Sequence, residues 1–148
     1  MKTPLRSDAG TSMVEFAIVA PVLAFLLIGM IDLGRYEYYS ILAANAARAG
    51  VLYGAQGVGT AVDTAGIKNA VIADAGSLAA WTTTNAITVN TLCSTSGGNP
   101  GPMPCSGSNI TYYVQVIVNA QFTPLVRYVG FTAPITISGS AIQRLSAQ

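Results

Sequence analysis

The chain reads as an α+β protein: a long N-terminal transmembrane helix, then a small external domain of one helix packed on a three- to four-stranded antiparallel sheet. Three observations predict it. Residues Phe16 to Ile31 form an uncharged apolar run. A helical spacing of apolar and small residues continues beyond that run to Gly50. In the second half of the chain the apolar period changes to two, the mark of half-buried strands.

The span comes first. Extending the run back to Met13 gives nineteen residues interrupted only by Glu15. At about 1.5 Å per residue such a helix is roughly 28 Å long, close to the hydrocarbon thickness of a bilayer. Lys2 and Arg6 precede it, so the positive-inside tendency predicts a cytoplasmic N-terminus and an external remainder. A cleaved signal peptide fits poorly, because the Ala44-Asn45-Ala46 match lies far beyond the apolar run, across Asp32, Arg35 and Glu37. Residues 32–50 hold good helix formers and no proline, with Ile41, Leu42, Ala46 and Ala49 as an expected apolar stripe. One helix of roughly 35–40 residues follows, with a kink expected at Pro21. Gly50, Gly54, Gly57 and Gly59 are expected to end it and make a joint.

Thr60 to Trp81 reads as the second helix, with capping-box spacing at Thr60 and Asp63 and an apolar face of Ile67, Val71, Ala75 and Leu78. Strands are expected at Ile87–Asn90, at Tyr112–Phe122 with Val114, Val116 and Val118 on one face, and at Ile135–Ser138. Such a sheet needs a cover on its apolar side, which a helix supplies. Cys93 and Cys105 bracket a loop rich in Gly, Pro and Ser. They read as a disulfide in an oxidising compartment, with two free thiols as the alternative.

Composition excludes several functions. Charged residues are 9% of the chain and hydrophobic ones 51%, a balance suited to a membrane or an assembly. The seven Lys and Arg are scattered, so no basic stripe is available for nucleic acid. There is no histidine, which removes the commonest general base and metal ligand. Asp63 and Asp74 fall roughly 16 Å apart along the expected helix and make no catalytic pair. Asn109-Ile110-Thr111 matches a glycosylation acceptor, a pattern frequent by chance. No enzyme, cofactor or metal site is expected.

Gly10-Thr11-Ser12-Met13-Val14-Glu15-Phe16, directly before the apolar run, resembles the type IV prepilin motif. In that family a membrane aspartyl peptidase cuts after the glycine. The resemblance implies a leader over residues 1–10, a cut between Gly10 and Thr11, and a mature helix over 11–53 with its span at about 13–31. The external domain then covers 54–148, including the cysteine loop 93–105. Glu15 becomes the fifth residue of the mature chain, placed to pair with the new α-amino group of a neighbouring subunit and set axial register. Ser12 to Glu15 also has capping-box spacing, and on that account Glu15 only satisfies a backbone amide.

Past the span, Ile31-Asp32-Leu33-Gly34-Arg35 and Ala43-Ala44-Asn45-Ala46-Ala47-Arg48-Ala49-Gly50 resemble the TadE-like family, minor pseudopilins of the tight-adherence (Flp) pilus system. Ala49 stands where the family often has an acidic residue, and Val51-Leu52 where it has Ala-Arg. The resemblance is dense over residues 10–54 and afterwards limited to Phe122-Thr123-Pro124-Leu125 and Ile135-Thr136-Ile137. It implies a non-catalytic, single-pass protein of a bacterial inner membrane. Its implied partners are prepilin peptidase, other Tad pseudopilins and pilus-assembly proteins. It marks Asp32, Gly34, Arg35 and Arg48 as a membrane-edge helix motif. Asp32 and Arg35 read more simply as an exposed i, i+3 pair, and Tyr36, Tyr38 and Tyr39 as an interfacial belt. The alternatives are a single-pass protein whose external domain binds a ligand or receptor, and a major filament subunit, although Flp subunits are typically much shorter.

Overall fold

A computed structural model describes residues 9–76, 86–95, 98–126 and 134–146. Lys2 and Arg6, the end of the expected second helix with Leu78 and Trp81, and residues 96–97 of the cysteine loop lie outside the described residues.

The first helix, α1, runs from Ala9 to Gly54 and passes through Pro21. Its 46 residues exceed the expected 35–40. At about 1.5 Å per residue it is roughly 70 Å long, twice the depth of a bilayer's hydrocarbon layer. The extra length has a packing cause. Gly50 and Gly54 do not end the helix; they let it lie close to the sheet and to the next helix. A Cβ on Gly50 would stand 2.6 Å from Val71 Cγ2, and one on Gly54 3.1 Å from Val114 Cγ1. The buried stripe is Ala43, Ala46, Ala47, Gly50 and Val51. Ile41, expected on that stripe, is exposed.

The expected second helix is two: α2, Val58–Val62, and α3, Thr64–Ala75. The break falls at Asp63, whose carboxylate caps α3 by accepting the Gly66 N–H at 2.9 Å. Asp63 is therefore an N-cap itself, not the far member of a box begun at Thr60. Thr60 closes the α1–α2 turn, accepting the Gly57 N–H and donating to the Gly57 carbonyl. Ile67, Val71 and Ala75 of the expected face are buried.

Four strands follow: β1 Ile87–Thr95, β2 Gly101–Pro102, β3 Ile110–Phe122 and β4 Ile135–Arg144. They form one antiparallel sheet in the order β2-β1-β3-β4. The period-two pattern sets the faces. Val114, Val116, Val118, Ala120 and Phe122 are buried against α1, with Ile87 and Ile137 on the flanking strands. Gln115 lies on the opposite face, bonded to Asn90 across the β1–β3 pair at 3.1 Å.

Gly139 of β4 is where helix and sheet come closest. A Cβ there would lie 2.5 Å from the Ala43 oxygen and the Ala44 nitrogen. Contacts step along α1 in order, from Asp32 with Leu125, through Ala43 with Gly139, to Gly54 with Val114. The end of β3 and the start of β4 thus adjoin the membrane half of α1. The Cys93–Cys105 disulfide staples the opposite pole, with Cα atoms 6.1 Å apart. At that pole Ser146 also satisfies the end of α1, its N–H and hydroxyl donating to the Ala55 carbonyl and its hydroxyl to that of Gln56.

Candidate functional site

The N-terminal half of α1 extends beyond the domain and is largely exposed. It is the one described helix long and apolar enough to cross a membrane, and 0% of its most apolar stretch is buried. Met13 is 78% exposed and Phe16 70%, and the large apolar side chains from Ile18 to Ile31 are exposed as well, apart from the half-buried Ile28. An exposed apolar surface of this size belongs in lipid or against a partner, since water would penalise it heavily. The helix therefore supports membrane association and a single-pass arrangement.

Gly10 and Thr11 sit in the first turn, and Glu15 one turn further on. A Cβ on Gly10 would meet nothing within 4 Å. The chain's own fold does not need glycine there, although glycine costs about 1 kcal/mol in a helix interior. Glu15 is exposed and has no hydrogen-bond or ion-pair partner among the described residues. Ser12 is not an N-cap in this chain, because the helix has already begun at Ala9. The capping-box account of Glu15 does not apply to the unprocessed protein.

Asp32 is the first charge after the apolar run, and the fold buries it to 4% exposure. Its Oδ1 accepts from Arg35 Nη1 at 2.9 Å. The Leu125 backbone N–H reaches Oδ1 at 3.1 Å and Oδ2 at 2.9 Å. The expected exposed pair is thus a clamp joining α1 to the segment after β3. Arg35 also stacks over the Phe122 ring, 5.3 Å from its centroid. Tyr36 meets the same ring edge-on at 5.8 Å, and Tyr39 lies at 6.2 Å. Those two tyrosines pack on the domain core, while Tyr38 alone of the three stands exposed.

The remaining motif positions stay apart from this clamp. Gly34 is exposed, and a Cβ there would meet nothing within 4 Å. Arg48 is exposed as well and donates to Asn45 Oδ1 on its own helix at 3.5 Å.

Sequence reasoning missed a second polar link. The Tyr53 hydroxyl donates to Asp63 Oδ2 at 2.9 Å, tying the end of α1 to the start of α3. The Gly66 N–H and then the Tyr53 hydroxyl hold the Asp63 carboxyl below its ordinary pKa. The same hydrogen bond and the Asp63 charge push the Tyr53 phenol above its own. An aspartate directly before a helical period was the available signal.

Between α1 and the segment after β3 lies an apolar groove of about 350 Å³, with Asp32 at its base and Leu33, Tyr36, Phe122 and Pro124 on its walls. Among the described residues no group of three or more His, Cys, Asp or Glu side chains is placed to hold a metal ion.

No curated protein matches this chain, and no solved structure does. One family model matches, described as TadE-like protein, over residues 10–52. That range starts at Gly10 and ends in the last turn of α1, so the similarity covers the N-terminal helix and none of the domain that follows it.

Proposed function

We propose that the chain is a non-catalytic minor pseudopilin that takes part in assembling a tight-adherence pilus and is processed by prepilin peptidase after Gly10. The observation that carries this reading is the uncovered apolar half of α1, which bears a carboxylate with no partner in its own fold among the described residues. Within the membrane a charged side chain costs about 2.5–3.5 kcal/mol at mid-depth and less near the edge. Such a residue persists where something outside the chain uses it.

Cutting the Gly10–Thr11 bond supplies that use. It frees an α-amino group whose reference pKa of about 7.7–8.0 leaves it largely protonated at neutral pH. In a filament, Glu15 of one subunit pairs with this ammonium on the next. The pair contributes more to register than to stability, because any slip leaves a charge unpaired in a low-dielectric layer. The leader stays on the cytoplasmic face of a bacterial inner membrane. The domain stands on the other side, where the Cys93–Cys105 disulfide persists.

A span exchange tests the proposal. Residues 13–31 are replaced by an unrelated apolar span of equal length in a strain that needs this chain for piliation. Piliation should be lost while the protein remains in the membrane. Piliation that survives the exchange would favour a simple anchor carrying a binding domain and overturn the proposal. Glu15→Gln should be processed normally yet assemble poorly.

A further inference from the structure

We infer that Phe122–Leu125, the segment that leaves β3, is a second membrane contact of this chain and lies in the lipid boundary on the domain's side of the bilayer. This rests on residues 13–31 being the span. The uncharged run ends at Ile31, and the next residue, Asp32, holds the Leu125 N–H on both carboxylate oxygens. The Leu125 backbone is therefore fixed at the depth where the span ends. Its side chain is 62% exposed, and Met30, Ile31 and Leu33, the neighbours of Asp32 in sequence, are exposed to a similar degree. The groove between helix and segment is lined by Gly29, Leu33, Tyr36, Phe122 and Pro124 beside Asp32, so it begins within the apolar run and ends on the domain.

The clamp itself is a second observation. Irregular backbone at membrane depth persists only where its polar groups are satisfied internally, since lipid offers no hydrogen bonds. Asp32 satisfies the Leu125 amide, and Arg35, itself over the Phe122 ring, pairs with the same carboxylate. The occupant of the groove is thus lipid from the bilayer that the helix crosses, and the domain rests against the membrane at a fixed height.

Spin labelling of the full-length protein in phosphatidylcholine–phosphatidylglycerol vesicles tests this, with the native cysteines kept as their disulfide. Labels are placed singly at Leu125→Cys, Leu33→Cys, Leu23→Cys in the span, and Gln143→Cys on the exposed far end of β4. Collision with oxygen, which partitions into lipid, is compared with collision with a water-soluble nickel chelate. Labels at 125 and 33 should exclude nickel severalfold relative to 143 and show enriched oxygen. A label at 125 as open to nickel as that at 143, with 23 deep in lipid, overturns this inference and leaves the span intact. A label at 23 open to nickel overturns the span, and this inference with it. Nickel exclusion at 125 without oxygen enrichment, accompanied by spin–spin broadening that disappears on dilution in lipid, identifies a second copy in the groove and also overturns it.

Discussion

Substituting Gly139→Ala probes the seating of α1 on the sheet with a single methyl group. The new Cβ would lie 2.5 Å from the Ala43 oxygen and the Ala44 nitrogen, and nearer still to the Ala43 carbonyl carbon, where ordinary contact begins at 3.4 Å. All of these are helix backbone atoms, so no side-chain rotation can make room. The helix must lift by about 1 Å, and a gap of that size forfeits a quarter to a half of each contact's dispersion energy. Ala43, Ala46 and Ala47, all fully buried, lose most. Overpacking of this kind costs about 1–3 kcal/mol. For a folded unit of about 100 residues that corresponds to a melting temperature lower by roughly 5–15 °C. Thermal unfolding of the purified full-length protein in detergent, followed by circular dichroism, reads the shift. Gly50→Ala should cost less, because its nearest contact is a methyl of Val71. Gly59→Ala, with nothing within 4 Å of the added carbon, should be neutral or stabilising by a few tenths of a kcal/mol or more. A Gly139→Ala protein that melts with the wild type would refute the close approach of helix and strand on which the fold depends.

Four further predictions concern the fold's other polar and covalent links. Asp32→Ala leaves the Leu125 N–H without its acceptor and should destabilise the fold by about 1–3 kcal/mol in detergent melts, with Asp32→Asn milder because its amide oxygen still accepts. Replacing both Cys93 and Cys105 with serine opens a loop with a sequence separation of 12. On the chain-entropy model this costs about 3 kcal/mol, and reductant should lower the melting temperature of the wild type but not of the double variant. The Asp63 carboxyl is held below its ordinary value, so the unfolded chain binds the proton more readily; stability is lost as pH falls through that ordinary value to the lowered one, and Asp63→Asn should flatten that acid limb. The Tyr53 phenol is raised above 10.0, so its contribution fades as pH climbs past that value, and Tyr53→Phe should remove the alkaline limb.

Much of this was legible in the sequence because it is local. The apolar run, the alternation through Val114, Val116 and Val118, and the face of Ile67, Val71 and Ala75 are periodic signals that need no knowledge of distant residues. The misjudged positions depend on what packs against them. Gly50 looked like a helix end because glycine often is one, yet here its missing side chain admits Val71. Asp32 looked like a surface charge, because nothing near it in sequence announces that Leu125 will bring it an amide. Tyr36 and Tyr39 looked like a belt for the same reason, since Phe122 lies far along the chain. For the candidate site the balance is reversed. Gly10, Thr11 and Glu15 carry a pattern in the sequence, and the fold adds that Gly10 and Glu15 serve no packing or bonding purpose among the described residues.

The proposal turns on that last point: among the described residues the fold gives Gly10 and Glu15 no role, and prepilin processing would give each of them one. The most direct measurement is intact-mass spectrometry, with N-terminal sequencing, of the protein extracted from its native membrane. A chain that begins at Thr11 is predicted. A chain that still begins at Met1, in cells with an active prepilin peptidase, would contradict it.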